Sequence, residues 1–265
     1  MGHARRWSWV LVLVGGAALY EFIRRAIADT SNPNLLPSLI LLGAAVVPTA
    51  FVTFIAGRRL VFGAGAGTVL LTALVGGVIG VVTAGVLEYN TLQRLGTLPM
   101  LAVGLIEEAA KLIVPALVLL AVRRNRHPAD GLLLGVACGA GFAVLETMGY
   151  AFVVLVQSRG DLEVVDDLLF LRGVLSPAAH MAWTALAAAA LWQAAAGRWH
   201  TAALGRFVLT FALVVALHTA WDLSGSTVGY IVLAVISLAL LGVTSHRLAA
   251  PHRRDPLDGR LLAPV

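Results

Sequence analysis

The chain has 265 residues, of which 59% are hydrophobic and only 12% are charged, and its mean hydropathy is +0.89. This composition excludes a soluble globular domain and predicts an all-α, polytopic transmembrane helical bundle. The apolar runs are continuous and do not alternate in polarity, which excludes an outer-membrane barrel. The formal net charge of +5 therefore reflects orientation in the bilayer, and no nucleic-acid partner is expected.

Eight apolar runs follow one another along the chain, each long enough to cross a bilayer as a helix. No Pro- or Ser-rich linker and no soluble domain separates them, so residues 1–265 are predicted to form a single membrane domain. The runs cover about residues 7–23, 35–56, 67–88, 98–122, 131–157, 173–196, 204–223 and 227–245.

The distribution of arginine predicts the orientation of these spans. With the N-terminus inside, thirteen arginines fall in cytoplasmic segments and five in outer segments, so the positive-inside rule places both termini in the cytoplasm. Arginine almost replaces lysine, which favours a G+C-rich bacterial genome and hence a multi-pass protein of the bacterial cell membrane. The longest outer loop, about residues 158–172, is acidic. The outer arginines are Arg24, Arg25, Arg94, Arg159 and Arg172.

The fourth run carries three charges near its centre, at Glu107, Glu108 and Lys111. A central charge costs about 2.5–3.5 kcal/mol on membrane-insertion scales, so three within five residues need a compensating environment. At helical pitch Glu107 and Lys111 share one stripe, and Glu108 lies i, i+3 from the lysine. The helix is therefore predicted to direct a charged cluster toward other helices.

Three further runs contain polar residues that this cluster can meet: Glu146, His180, and His218 with Asp222. At 1.5 Å rise per residue, Glu107 lies about 14 Å and Glu146 about 16 Å from the predicted outer ends of their runs. The same arithmetic gives about 10 Å for His180 and about 8 Å for His218. Although these helices run in opposite directions, all four residues fall in the outer half of the membrane. One shared site is therefore predicted there.

The fifth run also carries small residues at i, i+4 spacing, which permit a neighbouring helix backbone to approach closely. This stripe continues toward Glu146, so the carboxylate is predicted to face another helix instead of lipid. The third run has no titratable group before Glu88 and is expected to serve packing only. The stripe consists of Gly131, Gly135 and Gly139.

These residue types support hydrolysis. Two histidines and a carboxylate are a common catalytic zinc set that leaves one coordination position for water, and a neighbouring carboxylate can act as general base. Asp222 can be a further ligand or can orient His218 from outside the metal sphere, and Lys111 can hold a nearby glutamate ionised. We assign catalysis to Glu107, Glu108 and Lys111, and metal binding to Glu146, His180, His218 and Asp222.

Four motifs occur in order on separate runs: E-E-x-x-K at 107–111, F-x-x-x-E at 142–146, a histidine at 180, and H-x-x-x-D at 218–222. Over about residues 98–224, taken as the protease-like core, this pattern resembles the PrsW family of intramembrane proteases. The resemblance implies cleavage of membrane-tethered regulators such as anti-sigma factors, with zinc as the expected cofactor. Thr147 departs from the pattern, because an asparagine is expected after the motif glutamate. The resemblance implies functional roles for Glu107, Glu108, Glu146, His180 and His218.

Several alternatives stay open at this point. In a metal-free mechanism, argued for the related CAAX-type enzymes, Glu107 or Glu108 activates water and a histidine stabilises the oxyanion. A proton- or ion-coupled transporter would use the same cluster as a relay, but the chain shows no convincing internal repeat. The acidic pair with Lys111 can also be an intramembrane salt bridge that only locks packing. The expected partners are a membrane-tethered protein substrate and the lipid bilayer; the sequence specifies neither the substrate protein nor the oligomeric state.

Overall fold

The computed structural model describes residues 3–58, 60–122 and 127–249, and within these ranges it contains helices but no β-strand. The predicted all-α membrane bundle is confirmed. Its helices are α1 (His3–Thr30), α2 (Leu36–Ala56), α3 (Ala66–Leu95), α4 (Met100–Ala121), α5 (Pro128–Gln157), α6 (Leu162–Leu175), α7 (His180–Ala196), α8 (Thr201–Asp222) and α9 (Thr227–Ala249).

Six segments of the described chain are long and apolar enough to cross a membrane, and they correspond to all predicted runs except the first and fourth. Those two runs form α1 and α4, which have 28 and 22 residues. At about 1.5 Å per residue both helices exceed a hydrocarbon core of about 30 Å, and eight crossings with cytoplasmic termini stay a prediction. Among the arginines that the charge bias assigns to the cytoplasm, Arg59, Arg123, Arg124, Arg126, Arg253, Arg254 and Arg260 lie outside the described residues.

Helix α5 lies at the centre of the bundle and packs against α2, α3, α4, α6 and α7. A Cβ atom on Gly131, Gly135 or Gly139 would lie 2.8, 2.6 or 2.5 Å from a backbone carbonyl oxygen of α7. The close approach predicted from the glycine stripe is therefore confirmed. The oxygen nearest to Gly139 belongs to His180, so this contact fixes the start of α7 beside α5.

Helix α3 approaches α5 in the same way. A Cβ on Gly77 would lie 2.6 Å from the carbonyl carbon of Gly141, and a Cβ on Gly80 would lie 3.0 Å from the Phe142 ring and 3.8 Å from the Lys111 Cα. Small residues in α3 thus let α4 and α5 lie side by side, which is the packing role expected of the third run.

A polar cap fixes the start of α5. The Asp130 carboxylate accepts hydrogen bonds from the backbone N–H groups of Gly63 (2.7 Å), Ala64 (2.9 Å) and His127 (3.2 Å). The His127 ring accepts from Ala129 N at 3.3 Å, which completes a reciprocal capping arrangement. The segment after α2 is thereby tied to the first turn of α5.

The acidic outer segment is mostly helical, which the sequence analysis did not predict. Asp161 accepts from Glu163 N at 3.0 Å and caps α6, and Val165 and Leu169 pack into a buried cluster with Ile40. Pro177 lacks a backbone N–H, which explains why α6 ends before a short 3-10 turn, Ser176–Ala178. The sixth apolar run is therefore broken just before His180, where α7 begins.

Candidate active site

Four helices bring the predicted residues into one continuous group, here called the site cluster. Helix α4 contributes three residues, α5 and α7 one each, and α8 two. Every member lies within 4.0 Å of another member through side-chain nitrogen and oxygen atoms. The members are Glu107, Glu108, Lys111, Glu146, His180, His218 and Asp222.

Lys111 lies at the inner end of the site cluster and is fully buried. Its Nζ lies 2.7 Å from Glu108 Oε1, 3.4 Å from Glu107 Oε2 and 2.9 Å from His180 Nδ1. The ammonium also lies 4.4 Å from the centroid of the Phe142 ring, a cation–π distance. One lysine thus compensates both adjacent carboxylates in an interior where an unpaired charge would be strongly destabilising.

The two histidines are held at opposite ring nitrogens. An ammonium only donates, so His180 Nδ1 accepts from Lys111, and His180 Nε2 donates to Glu146 Oε2 at 2.9 Å. His218 Nδ1 lies 2.8 Å from Glu108 Oε1 and must donate to that carboxylate. Each ring therefore donates to a carboxylate from one nitrogen and has a lone pair on the other nitrogen, which in His180 accepts from Lys111.

Glu107 lies near the second nitrogen of both rings. Its Oε2 lies 3.5 Å from His218 Nε2 and 4.0 Å from His180 Nδ1. Within the described ranges, Glu107, His180 and His218 form a group whose potential ligand atoms all lie within 4.8 Å of one another. Glu108, Glu146 and Asp222 lie outside this group. Glu108 and Glu146 instead contact the other ring nitrogen of His218 and of His180.

Asp222 is the last residue of α8. Its Oδ2 lies 3.4 Å from His218 Nε2, one helical turn away. The Asp222 side chain is 25% exposed, compared with 2% for His218. It therefore stands at the mouth of the site cluster, beside the lone pair of His218.

A comparison with known protein families matches residues 36–244, well over half of the chain, to the PrsW family intramembrane metalloproteases. The chain belongs to this family. It is a multi-pass membrane peptidase, which decides against the transporter alternative. The match extends beyond the protease-like core and includes α2, α3 and most of α9. No functionally curated protein and no solved structure matched the chain.

An aromatic wall lines the site of this PrsW-family protein. Trp183, fully buried on α7, stacks on His218 with ring centroids 4.9 Å apart and meets His180 edge-on at 5.6 Å. Its Nε1 donates to Ser237 Oγ at 2.9 Å, which ties the wall to α9. Trp221 in turn lies 5.8 Å from Trp183. Trp183 therefore packs over both histidines of the site.

Arg172, which the sequence did not assign to the site, contacts Glu146 and the neighbouring Thr147. Arg172 Nη2 donates to Glu146 Oε2 at 2.7 Å, and Arg172 Nε donates to Thr147 Oγ1 at 3.2 Å. Thr147 is the position at which the chain departs from the expected motif. Arg172 had appeared only as one of five outer arginines, because nothing in the local sequence links it to a carboxylate on another helix.

The site cluster is sealed at one end and open at the other. The side chains of Lys111 and Glu108 are 0% exposed, whereas those of Asp222 and Arg172 are 25% and 28% exposed. The more exposed end is therefore the one marked by Asp222 at the end of α8 and by Arg172 in the last turn of α6.

Proposed function

We propose that this PrsW-family peptidase hydrolyses membrane-tethered protein substrates near the outer face of the bacterial cell membrane, with a zinc ion held by Glu107, His180 and His218. The observation that carries the proposal is that these three side chains face one another, while each histidine is held at its other nitrogen by a carboxylate. A carboxylate behind each imidazole is the usual support of a metal-binding histidine. Regulators such as anti-sigma factors are the substrate class that we expect.

The charges of the site favour a bound dication. With neutral histidines, the four carboxylates of the site cluster face only two cations, Lys111 and Arg172, which leaves two surplus negative charges. Glu108 Oε2 is also buried without a hydrogen-bond partner among the described residues. A divalent cation near these groups would balance the charge and offset part of the cost of burying it.

Four of the predicted roles change in this proposal. Asp222 moves from metal binding to proton transfer, and Glu108 moves from catalysis to orienting His218. Glu107 moves from catalysis to metal binding, because it alone faces both lone pairs. Glu146 moves from metal binding to orienting His180, because it occupies the opposite nitrogen of that ring. Metal binding at His180 Nδ1 requires Lys111 to give up its 2.9 Å contact with that nitrogen, while its 2.7 Å pair with Glu108 persists.

Bound zinc would lower the pKa of a coordinated water to about 7 and polarise the scissile carbonyl. The chain supplies the rest of the chemistry. Asp222, beside His218 at the open end, accepts the proton of the attacking water and passes it to the leaving amine. Glu108 keeps His218 in the Nδ1–H form, and Lys111 keeps Glu108 ionised. Trp183 and Phe142 exclude bulk water from the inner end.

A metal-free peptidase is the second candidate, and one observation favours it. Lys111 already satisfies His180 Nδ1 and lies beside Glu107, so the polar groups at the inner end pair with one another without an ion. In that mechanism Glu107 takes the proton from water, and His218, protonated at Nε2 as well as at Nδ1, donates to the oxyanion. Both candidates hydrolyse the same bond. They differ in whether a zinc ion lies between Glu107 and the histidines.

Cleavage itself is tested by reconstituting the protein in liposomes with a panel of single-pass membrane proteins and sequencing new termini by mass spectrometry. Glu107→Gln should reduce cleavage by about 10²–10⁴-fold, the range of a lost general base or metal ligand. The matched control is Glu163→Gln, which removes the same charge from an exposed position on α6. Equal cleavage by the two variants would contradict the site assignment.

A further inference from the structure

We propose that Arg172 is a positioning residue of this peptidase: it holds Glu146 against His180 Nε2 and so fixes the orientation of the His180 ring. The inference rests on the proposed function for its effect on catalysis. Arg172 belongs to none of the four motifs, and it lies on α6, outside the helices that carry the site cluster.

The Arg172 guanidinium makes three contacts with one face of α5. Its Nη2 donates to Glu146 Oε2 at 2.7 Å, and its Nε donates to Thr147 Oγ1 at 3.2 Å. Its central carbon lies 4.3 Å from the centroid of the Tyr150 ring, one turn farther along the helix. A planar group with fixed donor directions that is held at three points leaves Glu146 little freedom.

The carboxylate oxygen that Arg172 holds is the same one that holds the histidine. Glu146 Oε2 accepts from Arg172 Nη2 at 2.7 Å and from His180 Nε2 at 2.9 Å. The Glu146 side chain is 18% exposed at the open end of the site, so without the guanidinium it could turn toward water. His180 would then lose the acceptor of its Nε2–H, which holds the ring from the α5 side, and only the contact of its Nδ1 with Lys111 would be left.

The backbone supports the same arrangement. Arg172 lies in the last turn of α6, and Ser176 Oγ donates to its carbonyl oxygen at 2.6 Å. The 3-10 turn that follows leads directly into His180. One short segment therefore carries both the residue that clamps Glu146 and the imidazole that Glu146 orients, while α5 supplies the carboxylate between them.

Within the part of the chain that the structure describes, no ion pair or side-chain hydrogen bond joins another outer arginine to the site cluster, and Arg159 is exposed. Arg24 and Arg25 pair with Glu21 on their own helix, and Arg94 is an exposed residue in the last turn of α3. Arg94→Gln is therefore a matched control for Arg172→Gln, because both substitutions remove one positive charge from the same predicted side of the membrane.

The experiment compares the wild type with Arg172→Gln, Arg172→Lys, Glu146→Gln, the Arg172→Gln/Glu146→Gln double variant and the Arg94→Gln control. Steady-state cleavage gives kcat and KM. The ¹⁵N NMR spectrum of histidine-labelled, metal-free protein in nanodiscs reports the hydrogen bond at each ring nitrogen without any need for activity. Arg172→Lys serves as the second variant should Arg172→Gln fold poorly.

We expect Arg172→Gln to lower kcat about 10–100-fold, the usual loss when the support of a metal-binding histidine is removed, with KM within twofold of the wild type. The His180 Nε2–H signal should lose the shift of a hydrogen bond to a carboxylate, while the His218 signals stay unchanged and Arg172→Lys should be intermediate. In the Glu146→Gln background, Arg172→Gln should cause no further loss, because the arginine acts through that carboxylate. Arg94→Gln should match the wild type.

Three results would overturn the inference: an unchanged His180 spectrum, a rise in KM at constant kcat, or losses from Arg172→Gln and Glu146→Gln that multiply in the double variant. A rise in KM would assign Arg172 to substrate contact. If the wild type cleaves no member of the panel, the proposed function is at fault, and the ring spectra alone decide whether Arg172 positions His180.

Discussion

The role of Glu107 depends on whether a cation lies between it and the two histidines. The sequence made this residue conspicuous because a carboxylate pair is rare in the middle of an apolar run. Its partners could not be read in the same way, because His180 and His218 each occur alone in an otherwise ordinary membrane helix. Only their equal predicted depth connected them to Glu107, and the structure brings the three side chains together.

The roles of neighbouring residues were harder to predict than their presence in the site. Glu146 and Glu108 both face an imidazole, and which ring nitrogen they meet depends on side-chain geometry that spacing does not encode. Arg172 was missed because an arginine near the end of a membrane helix looks like an ordinary interfacial residue. Trp183 was ambiguous for the same reason.

The metal content of the protein tests the roles of these single residues. The protein purified in detergent without chelator should contain about one zinc per chain, the content of a single catalytic site. The ion should be lost in the His180→Ala/His218→Ala double variant, which removes two of its three ligands. Elemental analysis of both proteins measures it, and His246→Ala, which alters an exposed histidine on α9, is the control.

A stringent chelator should also abolish cleavage, and added zinc should restore it. Full activity in protein shown to be free of metal would falsify the zinc mechanism and select the version in which Glu107 activates water. Zinc that persists in the double variant would show that the ion binds elsewhere in the chain.

At the scale of helices, apolar run length predicted most of the bundle. The exception is α6, whose acidic residues interrupt the apolar pattern. Val165 and Leu169, at i, i+4 spacing, bury one face against α2 and α5, but four acidic residues in seven hid this stripe in the sequence. The glycine stripe on α5 was visible because its spacing is regular, although the sequence could not show which helix it meets.

The packing of α5 against α7 can be tested with a single methyl group. Gly139→Ala should destabilise the protein by about 1–3 kcal/mol, the usual cost of overpacking, because the new Cβ would lie 2.5 Å from the His180 carbonyl oxygen. It should also reduce cleavage, since relief of the clash moves His180. Stability is measured by thermal unfolding in detergent.

The control for this substitution lies on the same helix. A Cβ on Gly149 would meet no atom within 4 Å, so Gly149→Ala should leave both Tm and cleavage close to wild type. If Gly139→Ala behaved in the same way as Gly149→Ala, the close contact between α5 and α7 would not describe the protein in the membrane.

On the scale of the whole molecule, composition and charge bias predicted a bundle and its orientation. The bundle is confirmed, while the sidedness depends on arginine counts alone. The order of helices around α5 could not be predicted, because every apolar helix face is compatible with several neighbours in lipid. The glycines that select these neighbours act through backbone contacts, which become visible only in three dimensions.

The chain offers a favourable background for testing the orientation. Its single cysteine, Cys138, is fully buried and should not react with a maleimide. Cysteine introduced at exposed Glu163 should be labelled by an impermeant maleimide added to intact cells. Cysteine introduced at exposed His246 should be labelled only after the membrane is permeabilised. The reverse pattern would invert the predicted topology.

The sealed inner end of the site has a consequence for the conditions that the enzyme can sense. We expect water, protons and metal ions to reach the histidines through the end marked by Asp222 and Arg172, since the side chains of Lys111 and Glu108 are fully buried. The reaction would then draw on a single compartment. Acidification, metal depletion or an impermeant inhibitor on that side of the membrane should act on the enzyme directly, whereas the same change on the other side should not.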